Sequence, residues 1–357
     1  MAKKDFLPVK VNVVLSINEE EVAGNISANL KTIPVWYNRL FYPNGFHAYI
    51  ISGGPSMEKY VTELKLKERM VHPNRGFIVF CVKHALPRLI KMGIEPDFCV
   101  LLDGRDFNGV STHGEKRKEL FATIPQKTVF MAASMSHPEY AKYLLDNGAR
   151  VMGWHTQVTG LDKFAEQIRG CVVVNGGTSS GTRCISLAHN FGCRKVTLVG
   201  FDSCILNPTE ADMLKRDDKG RNKYLPVDLP VPARMTKEHQ EKIMAITEMY
   251  AKDGLLYQNS LAKRFYTTGE LLAQAQDFEK IFGDVQLDIE FEVFDDGIVK
   301  HMFTHMENRP VRDHSFIEYF KSSVPRNPVQ EATKRSLVIT KDEKETKKST
   351  KRGKAVV

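Results

Sequence analysis

Short apolar runs alternate with amphipathic segments through most of the chain. Each run is followed by a segment whose apolar residues recur with the 3.6-residue period of a helix and which often ends at glycine. Runs that are apolar along their whole length are typical of parallel strands buried on both faces. Six such runs are HAYIISGG (47–54), GFIVFCV (76–82), PDFCVLLDG (96–104), KTVFMAAS (127–134), CVVVNGGT (171–178) and KVTLVGFDS (195–203). The pattern predicts an α/β fold with a doubly wound, mostly parallel, Rossmann-like sheet over residues 46–205.

The rest of the chain divides into four further segments. Residues 1–45 precede the core as a strand and helix segment. Residues 206–235 are rich in charge and proline, which predicts a surface loop or lid. Residues 236–325 are predicted to be a mainly helical C-terminal extension, with Thr236 as an N-cap. Residues 326–357 are poor in aromatic residues and rich in Lys, Thr, Ser and Glu, so we expect a disordered basic tail.

The net charge of +8 comes mostly from this tail. Residues 326–357 hold ten Lys or Arg against four Asp or Glu, which leaves +2 for residues 1–325. Such a tail either maintains solubility or contacts nucleic acid or another acidic surface, and such a contact would show as strong salt dependence. The body of the protein is nearly neutral, so its charge gives no sign of a nucleic-acid-binding surface.

The composition indicates a globular protein of the cytoplasm. With 357 residues and 42% hydrophobic content, the chain can bury at least one sizeable core. No apolar run approaches the length needed to span a bilayer, and the N-terminus lacks the apolar core of a signal peptide. The six cysteines form no CxxC pair, which predicts buried free thiols and no disulfide or zinc site.

The first candidate for chemistry is the turn Gly53-Gly54-Pro55-Ser56, which ends the first core strand. In doubly wound sheets, ligands bind beyond the carboxyl ends of the strands. Glycine lets the backbone approach a ligand closely, and the N-terminus of the next helix attracts negative charge, so a phosphate fits this turn. The spacing matches neither a Walker A loop nor a GxGxxG fingerprint. The alternative is a tight turn in which Ser56 caps the helix.

The second candidate is LLDGRD, which places Asp103 and Asp106 after a strong strand. Carboxylates at this place can bind Mg²⁺, contact ribose hydroxyls or act as a general base. The alternative is an Asx turn at Asp103 with a surface salt bridge between Arg105 and Asp106.

The most concentrated signal is a second glycine-rich turn, in VVVNGGTSSGTRC. It supplies small side chains, hydroxyls and amide N–H groups at a helix N-terminus, which predicts another anion or sugar site. Its residues are Asn175, Gly176, Gly177, Thr178, Ser179, Ser180 and Gly181. Asp202 follows the last strand in VTLVGFDS, where it can orient a ligand or cap the next turn.

Three of these stretches together resemble a known family. GGPS, HALPRLIKMGIEPDFCVLLDGRD and VNGGTSSGTRCISLAHNFGCRKVTLVGFDS resemble the MptE-like family, which includes archaeal 6-hydroxymethylpterin diphosphokinases and Maf-type flagellin glycosyltransferases. The family fold is similar to that of bacterial CMP-sialic-acid transferases, so the resemblance implies a sialyltransferase-like sheet. It covers residues 22–205 and includes EVAGNISANLKTI, which looks like the helix before the first core strand. Similar domains also occur as bacteriophage proteins.

The resemblance implies roles for the two glycine-rich turns. Gly53 to Ser56 would lie along a nucleotide's phosphates, and Asp103 would lie beside the nucleotide or a metal. Gly176, Gly177 and Ser179 to Gly181 would lie beside the nucleotide or the transferred group. The later acidic and histidine-containing motifs of the pterin enzymes are not evident here, which favours glycosyl transfer over pyrophosphoryl transfer.

Several histidines and arginines complete the candidates. His155, in VMGWHTQVTG, suits a general base that faces an acceptor hydroxyl, although a packed core histidine has the same pattern. His301 and His305 are four residues apart, as helical metal ligands would be, but lack the HExxH glutamate. Arg309 and Arg312 could reach a phosphate.

The sequence as a whole predicts a nucleotide-dependent transferase. A nucleotide-sugar donor would bind at the two glycine-rich turns, with Mg²⁺ or the ribose at Asp103 and Asp106. His155 or Asp202 would activate a hydroxyl of an unidentified acceptor. The alternatives are pyrophosphoryl transfer from ATP to a hydroxymethyl acceptor, and a non-catalytic phage assembly or binding protein.

Overall fold

An eight-stranded parallel sheet runs through the centre of the protein in the computed structural model. The structure describes residues 7, 11, 17–72, 75–110, 116–209, 212, 214–216, 223–230, 262–283 and 287–306. The strands of the sheet are β1 (His47–Ile51), β2 (Phe77–Val82), β3 (Phe98–Leu101), β4 (Val129–Ala133), β5 (Arg150–Thr156), β6 (Val173–Val174), β7 (Lys195–Val199) and β10 (Glu290–Phe294). Their spatial order is β10-β7-β1-β2-β3-β4-β5-β6. Every neighbouring pair is parallel. The predicted fold class is confirmed.

Helices follow the strands as the periodicity predicts. They are α1 (Glu19–Thr32), α2 (Met57–Glu63), α3 (Leu66–Met70), α4 (Leu86–Lys91), α5 (Pro138–Asp146), α6 (Ser180–Asn190), α7 (Gly269–Phe282) and α8 (Ile298–His305). Short 3₁₀ helices occupy Arg117–Phe121 and Leu161–Phe164. The amphipathic segment after β1 divides into α2 and α3 because Lys65 adopts a left-handed conformation with φ 50°. Pro87 lies in the first turn of α4, where its missing N–H costs little.

The core consists of the strands and the helix faces packed on them. In β1, β4 and β7 the last four of five residues are buried, as expected for strands covered on both faces. Aromatic rings fill one side of the sheet, where Phe80 and Phe98 stack with ring centroids 5.0 Å apart and both contact Phe191. This packing fixes the strand ends, and therefore the loops that follow them, in a rigid frame.

Helix α1 lies across the carboxyl ends of β3 and β4. A capping box between Asn18 and Glu21 begins it. The Asn25 amide donates to the carbonyl oxygens of Gly104 and Met135 at 3.2 and 3.1 Å, and the Asn29 amide donates to those of Ser134 and Ser136 at 2.9 and 2.7 Å. These buried bonds satisfy loop carbonyls that would otherwise lack partners.

The C-terminal region contributes strands as well as helices. β10 pairs with β7 along its whole length, so the sheet extends past residue 205, the end of the predicted core. Residues 225–230, within the predicted loop or lid, form strand β8 (Leu225–Pro230), which pairs antiparallel with β9 (Ala262–Thr267). The interpretations of Thr236, Arg309, Arg312 and the basic tail lie outside the described residues.

Two further predictions concern the cysteines and membrane-spanning segments. All six cysteines are free, and five of them are buried. Among the described residues, no helix combines the length and the apolar character that crossing a membrane requires.

Candidate functional site

The carboxyl edge of the sheet gathers most of the predicted residues. The first glycine-rich turn follows β1, and Asp202 follows the adjacent strand β7. The second glycine-rich turn follows β6 at the far side of the sheet. Helix α6 begins at this turn and runs back across the sheet towards β7. The Gln274 side chain of α7 donates to Ser179 Oγ at 3.1 Å and accepts from Ser203 Oγ at 2.9 Å. The second turn therefore lies beside the residues that follow β7.

Asp202 positions the first turn. Its Oδ2 accepts hydrogen bonds from the Ser56 backbone N–H at 3.0 Å and from Ser56 Oγ at 2.9 Å, and its Oδ1 accepts from the Asp296 N–H at 3.0 Å. Ser56 is the N-cap residue of α2, as the alternative interpretation predicts, but its side chain bonds Asp202 and makes no capping hydrogen bond to the helix. Pro55 is exposed, whereas Asp202 is 1% exposed. With both oxygens engaged and buried, Asp202 holds the backbone in place and does not face open space.

The second turn is held in a similar way by Asp277 of α7. Asp277 Oδ2 accepts from the Thr178 N–H at 2.5 Å and from Thr178 Oγ at 2.7 Å. Ser179 caps α6, accepting from the Thr182 N–H at 3.2 Å. In both turns, a carboxylate of the protein occupies the position beside the amides where the sequence predicts a phosphate.

The other residues of the second turn have packing or surface positions. Gly176 adopts φ +132°, which favours glycine. A Cβ at Gly181 would lie 2.4 Å from Phe201 Cε1, so glycine there lets α6 pack closely on the residues after β7. Asn175 is exposed and Ser180 is half-buried. Phosphate binding by these residues stays a prediction.

A basic cluster, defined as the buried Lys83 and Arg117 and the half-buried Arg105 around Asp103, lies at the carboxyl ends of β2 and β3. Lys83 Nζ contacts Asp103 Oδ2, and Arg105 donates from Nε to Oδ1 at 2.9 Å and from Nη2 to Oδ2 at 3.1 Å. Arg117 Nε lies 3.5 Å from Oδ2. Exposed fractions are 5% for Asp103 and Lys83 and 6% for Arg117. Three cations surround one carboxylate, a formal excess of two positive charges among these four side chains.

The ionisation of the basic cluster follows from its contacts. Burial acts to raise the pKa of Asp103, but the bonds from Arg105 and the charge of Lys83 outweigh it and hold the pKa well below its ordinary value. Burial lowers the pKa of the Lys83 ammonium, while Asp103 acts in the opposite direction. Glu270 of α7 also acts on Arg105 through its charge. Asp103 is thus a carboxylate that holds cations in place.

The predicted Mg²⁺ site does not fit these contacts. A divalent cation at Asp103 would meet three positive side chains, and Asp106 is exposed, with Oδ1 accepting from the Asn108 N–H at 3.0 Å. The Asx turn is present instead, since the Arg105 N–H donates to Asp103 Oδ1 at 3.1 Å. The predicted surface partner of Arg105 was Asp106, and its observed partner is Asp103. In the part of the chain that the structure describes, no three His, Cys, Asp or Glu side chains group as metal ligands, and this includes His301 and His305.

His155 lies far from Asp202 along the sheet. Five strand-to-strand steps separate β5 from β7, which is about 24 Å at ordinary strand spacing. The two residues therefore do not converge on one acceptor hydroxyl. His155 is fully buried, stacks on Trp36 with ring centroids 4.4 Å apart, and has its pKa lowered by burial to about 4. Only two steps separate β5 from β3, which carries Asp103 of the basic cluster.

Asp295 belongs to this edge of the sheet and was missed by sequence reasoning. It follows β10, is 2% exposed, and accepts at Oδ1 from the Gly297 and Lys300 N–H groups at 2.9 and 3.1 Å. Its Oδ2 has no hydrogen-bond partner within the described residues. Burial, reinforced by the charge of Asp202, raises the pKa of Asp295 to about 7. The alternating stretch FEVF, with Phe291, Val293 and Phe294 ahead of DDG, was the signal that could have identified it.

Comparison with known proteins assigns this sequence to a family. A family model described as "6-hydroxymethylpterin diphosphokinase MptE-like" matches residues 22–208, more than half of the chain. The chain belongs to the MptE-like family. The match ends before β10, so the MptE-like region supplies seven of the eight strands of the sheet.

Other comparisons add little to this assignment. No curated protein matches the chain. Among solved structures, the MptE-like chain is similar to the Maf glycosyltransferase from Magnetospirillum magneticum AMB-1, with 14% identity and a TM-score of 0.46. That similarity covers 79% of this chain and 38% of the Maf protein, so the chain spans less than half of its length.

Proposed function

We propose that this MptE-like protein is a nucleotide-dependent transferase that binds the phosphates of its donor at the basic cluster. Membership of the MptE-like family supports a transferase at this coarse level. The observation that carries the proposal is the excess of positive charge around Asp103 at the carboxyl edge of the sheet, with Lys83 and Arg117 buried and Arg105 half-buried. Within the described residues, Asp103 and the charge of Glu270 offset only part of this positive charge, and a phosphate group would supply further negative charge.

The same charges suit the chemistry of transfer. When a group leaves a nucleotide, negative charge grows on the phosphate oxygens that remain. Arginine and lysine side chains held in advance at a dry site stabilise this charge in the transition state without reorganising. Arg105 and Arg117 offer planar, multiple donors that match phosphate geometry, and Lys83 acts as a point charge.

Glycosyl transfer from a nucleotide-sugar is the finer form of the proposal. At Asp103 the counter-charges available to a donor are side-chain cations, which would stabilise a leaving nucleoside phosphate directly. The second candidate is pyrophosphoryl transfer from ATP to a hydroxymethyl acceptor, which the description of the matched family favours. Asp202 bonds the Ser56 amide of the first glycine-rich turn, so a phosphate contact there stays a prediction. The turn follows β1, the neighbour of β2, which Lys83 of the basic cluster follows.

Thermal unfolding with a ligand panel tests the proposal. The purified protein would be unfolded with UDP-, GDP- and CMP-sugars, with the free nucleotides, and with ATP, each with and without Mg²⁺. A ligand at 100 times its dissociation constant adds about 2.7 kcal/mol to the free energy of unfolding. A shift with one nucleotide-sugar supports glycosyl transfer, and a shift with ATP and Mg²⁺ alone supports pyrophosphoryl transfer. No shift with any ligand would contradict both and favour a non-catalytic assembly or binding role.

Arg105→Gln is expected to weaken nucleotide binding about 10- to 100-fold, because a charged hydrogen bond to a phosphate contributes about 1.5–3 kcal/mol. Isothermal titration with the nucleotide that gives the largest thermal shift measures the loss. The matched control is Arg75→Gln, since Arg75 pairs with Asp97 at the opposite, amino-terminal edge of the sheet. Equal loss in both variants, or none at Arg105, would place the donor elsewhere.

A further inference from the structure

A pocket of about 500 Å³ lies beside β5, separate from the basic cluster. We call it the α1 pocket, and its lining residues are Ser27, Leu30 and Lys31 of α1, Trp36, His155, Phe164, Gln167 and Cys171. Its volume falls within the rough range of 300–1,000 Å³ typical of small-molecule sites. The pocket adjoins the carboxyl end of β5, on the edge of the sheet where ligands of this fold class bind.

His155 is the unusual residue of the α1 pocket. It is fully buried, yet among the residues that the structure describes neither Nδ1 nor Nε2 has a hydrogen-bond partner. Buried polar atoms are almost always bonded, and leaving two nitrogens of one ring unbonded is costly. The stack on Trp36 holds the ring in place, and Gly153 makes room for this stack, because a Cβ there would lie 2.6 Å from Trp36 Cε3. Within the described residues, the protein thus holds an imidazole with two unsatisfied nitrogens beside the α1 pocket, and small side-chain movements of the lining would expose it to a ligand.

The chemistry of the imidazole selects a ligand class. Burial keeps His155 neutral at physiological pH, so one ring nitrogen donates a hydrogen bond and the other accepts one. A carboxylate could satisfy only the donor, and an ammonium only the acceptor. A ring with several hydroxyl groups can satisfy both, because each hydroxyl both donates and accepts. Ser27 and Gln167 add polar contacts, while Leu30 and Phe164 offer apolar surface to the C–H face of such a ring.

We propose that the α1 pocket binds a monosaccharide unit, with His155 bonded to its hydroxyls. Its role as the acceptor site rests on the proposed transferase function, but the binding itself does not. The two-strand separation of His155 from Asp103 is about 10 Å at ordinary strand spacing, a distance that a nucleotide-sugar donor can bridge. Because burial lowers the pKa of His155 to about 4, the neutral ring would orient a bound hydroxyl by hydrogen bonding.

The test combines His155→Phe with a panel of sugars. Phenylalanine preserves the stack on Trp36 and removes both unbonded nitrogens. Wild-type protein is titrated with glucose, galactose, mannose and N-acetylglucosamine, and Trp fluorescence is recorded, since Trp36 lines the pocket and the second tryptophan, Trp154, is fully buried. We expect at least one sugar to change the fluorescence, and at least tenfold weaker binding of that sugar by His155→Phe. His189→Phe, at a half-buried histidine of α6 outside the pocket, is the control and should bind as wild type does.

A second measurement separates a binding residue from a packing residue. Without sugar, His155→Phe is expected to melt at the same temperature as wild type or a few degrees higher, because it removes two unsatisfied buried nitrogens. A lower melting temperature would overturn the proposal, and so would the absence of any sugar response in wild type. A response to 6-hydroxymethylpterin and to no sugar would overturn the sugar assignment.

Failure of this inference is distinguishable from failure of the proposed function. His155→Phe leaves the basic cluster intact, so its thermal response to nucleotides should equal that of wild type. Nucleotide binding without sugar binding would contradict the proposal for the α1 pocket and leave the proposed transferase function standing. Sugar binding without nucleotide binding would contradict the proposed donor site and leave the proposal for the α1 pocket standing.

Discussion

Asp295→Asn is expected to raise the free energy of unfolding above pH 7 and to leave it nearly unchanged near pH 4. The pKa of Asp295 is about 7 in the folded protein, against an ordinary value of about 3.9 in an unfolded chain. As the pH rises through this window, the unfolded state releases the proton and the folded state retains it, so wild-type stability falls. The loss reaches an upper limit of about 4 kcal/mol above pH 7. Asparagine has no proton to release, and its side-chain oxygen can still accept from the Gly297 and Lys300 N–H groups.

Urea unfolding at about pH 4, 6 and 8 measures this difference. The matched control is the next residue, Asp296, which is ion-paired with Lys59 at 2.8 Å. Burial acts to raise the pKa of Asp296, but the bonds from Lys59 and Tyr60 outweigh it and lower the pKa. Its carboxylate therefore stabilises the fold above pH 4, so Asp296→Asn should lose stability where Asp295→Asn gains it. Parallel pH profiles for wild type and Asp295→Asn would show that Asp295 is ionised in the folded state.

Gly54→Ala is expected to destabilise the protein by about 3 kcal/mol or more, whereas Gly53→Ala should cost less than about 1 kcal/mol. A Cβ at Gly54 would lie 2.3 Å from both Asp202 Oδ2 and the Gly200 carbonyl oxygen. That carbonyl also accepts the Gly54 N–H at 2.9 Å, so the two backbones cannot separate without breaking the contact. At Gly53 the nearest atom would be His84 Cβ at 3.1 Å, a contact that a movement of the His84 backbone by a few tenths of an ångström can relieve.

Thermal and urea unfolding of the two alanine variants provides the measurement, each variant serving as the reference for the other. Similar losses at both positions would contradict the close approach of β1 and β7. Because Gly53→Ala should stay folded, its nucleotide affinity also tests whether this turn lies along the donor phosphates. An affinity equal to that of wild type would remove the first glycine-rich turn from the donor site.

The sequence predicted the features that depend on residues adjacent in the chain, namely the strands and the positions of the turns. Apolar runs and helical periodicity identified the strands of the core, and the two glycine-rich turns were located at strand ends. What those turns contact could not be predicted, because the partners are distant in the chain. Asp202 bonds Ser56 across 146 positions, and Asp277 bonds Thr178 across 99 positions. A local pattern shows that amide N–H groups are available, but only tertiary packing shows which anion they meet.

The basic cluster illustrates the same limit. Lys83 directly follows β2, and Arg117 lies in a 3₁₀ helix after a polar loop; neither resembles a known binding motif in the sequence. Asp103 was identified as a site residue, but its surroundings changed its interpretation from a metal ligand to an anchor for cations. A carboxylate at a strand end has either role, and two of the three charges that decide between them come from other parts of the chain, Lys83 after β2 and Arg117 in the 3₁₀ helix.

The pairing of β10 with β7 bears on how this protein can be shortened. Edge strands that lack charged residues tend to pair with other molecules, and natural edges are often protected by charged side chains. β10 carries Glu290 and Glu292, whereas β7 is the largely apolar KVTLV. A fragment that stops at residue 208, where the family match ends, would expose the edge of β7. Such a fragment would be prone to aggregate through this strand even if every residue of the matched region folded correctly.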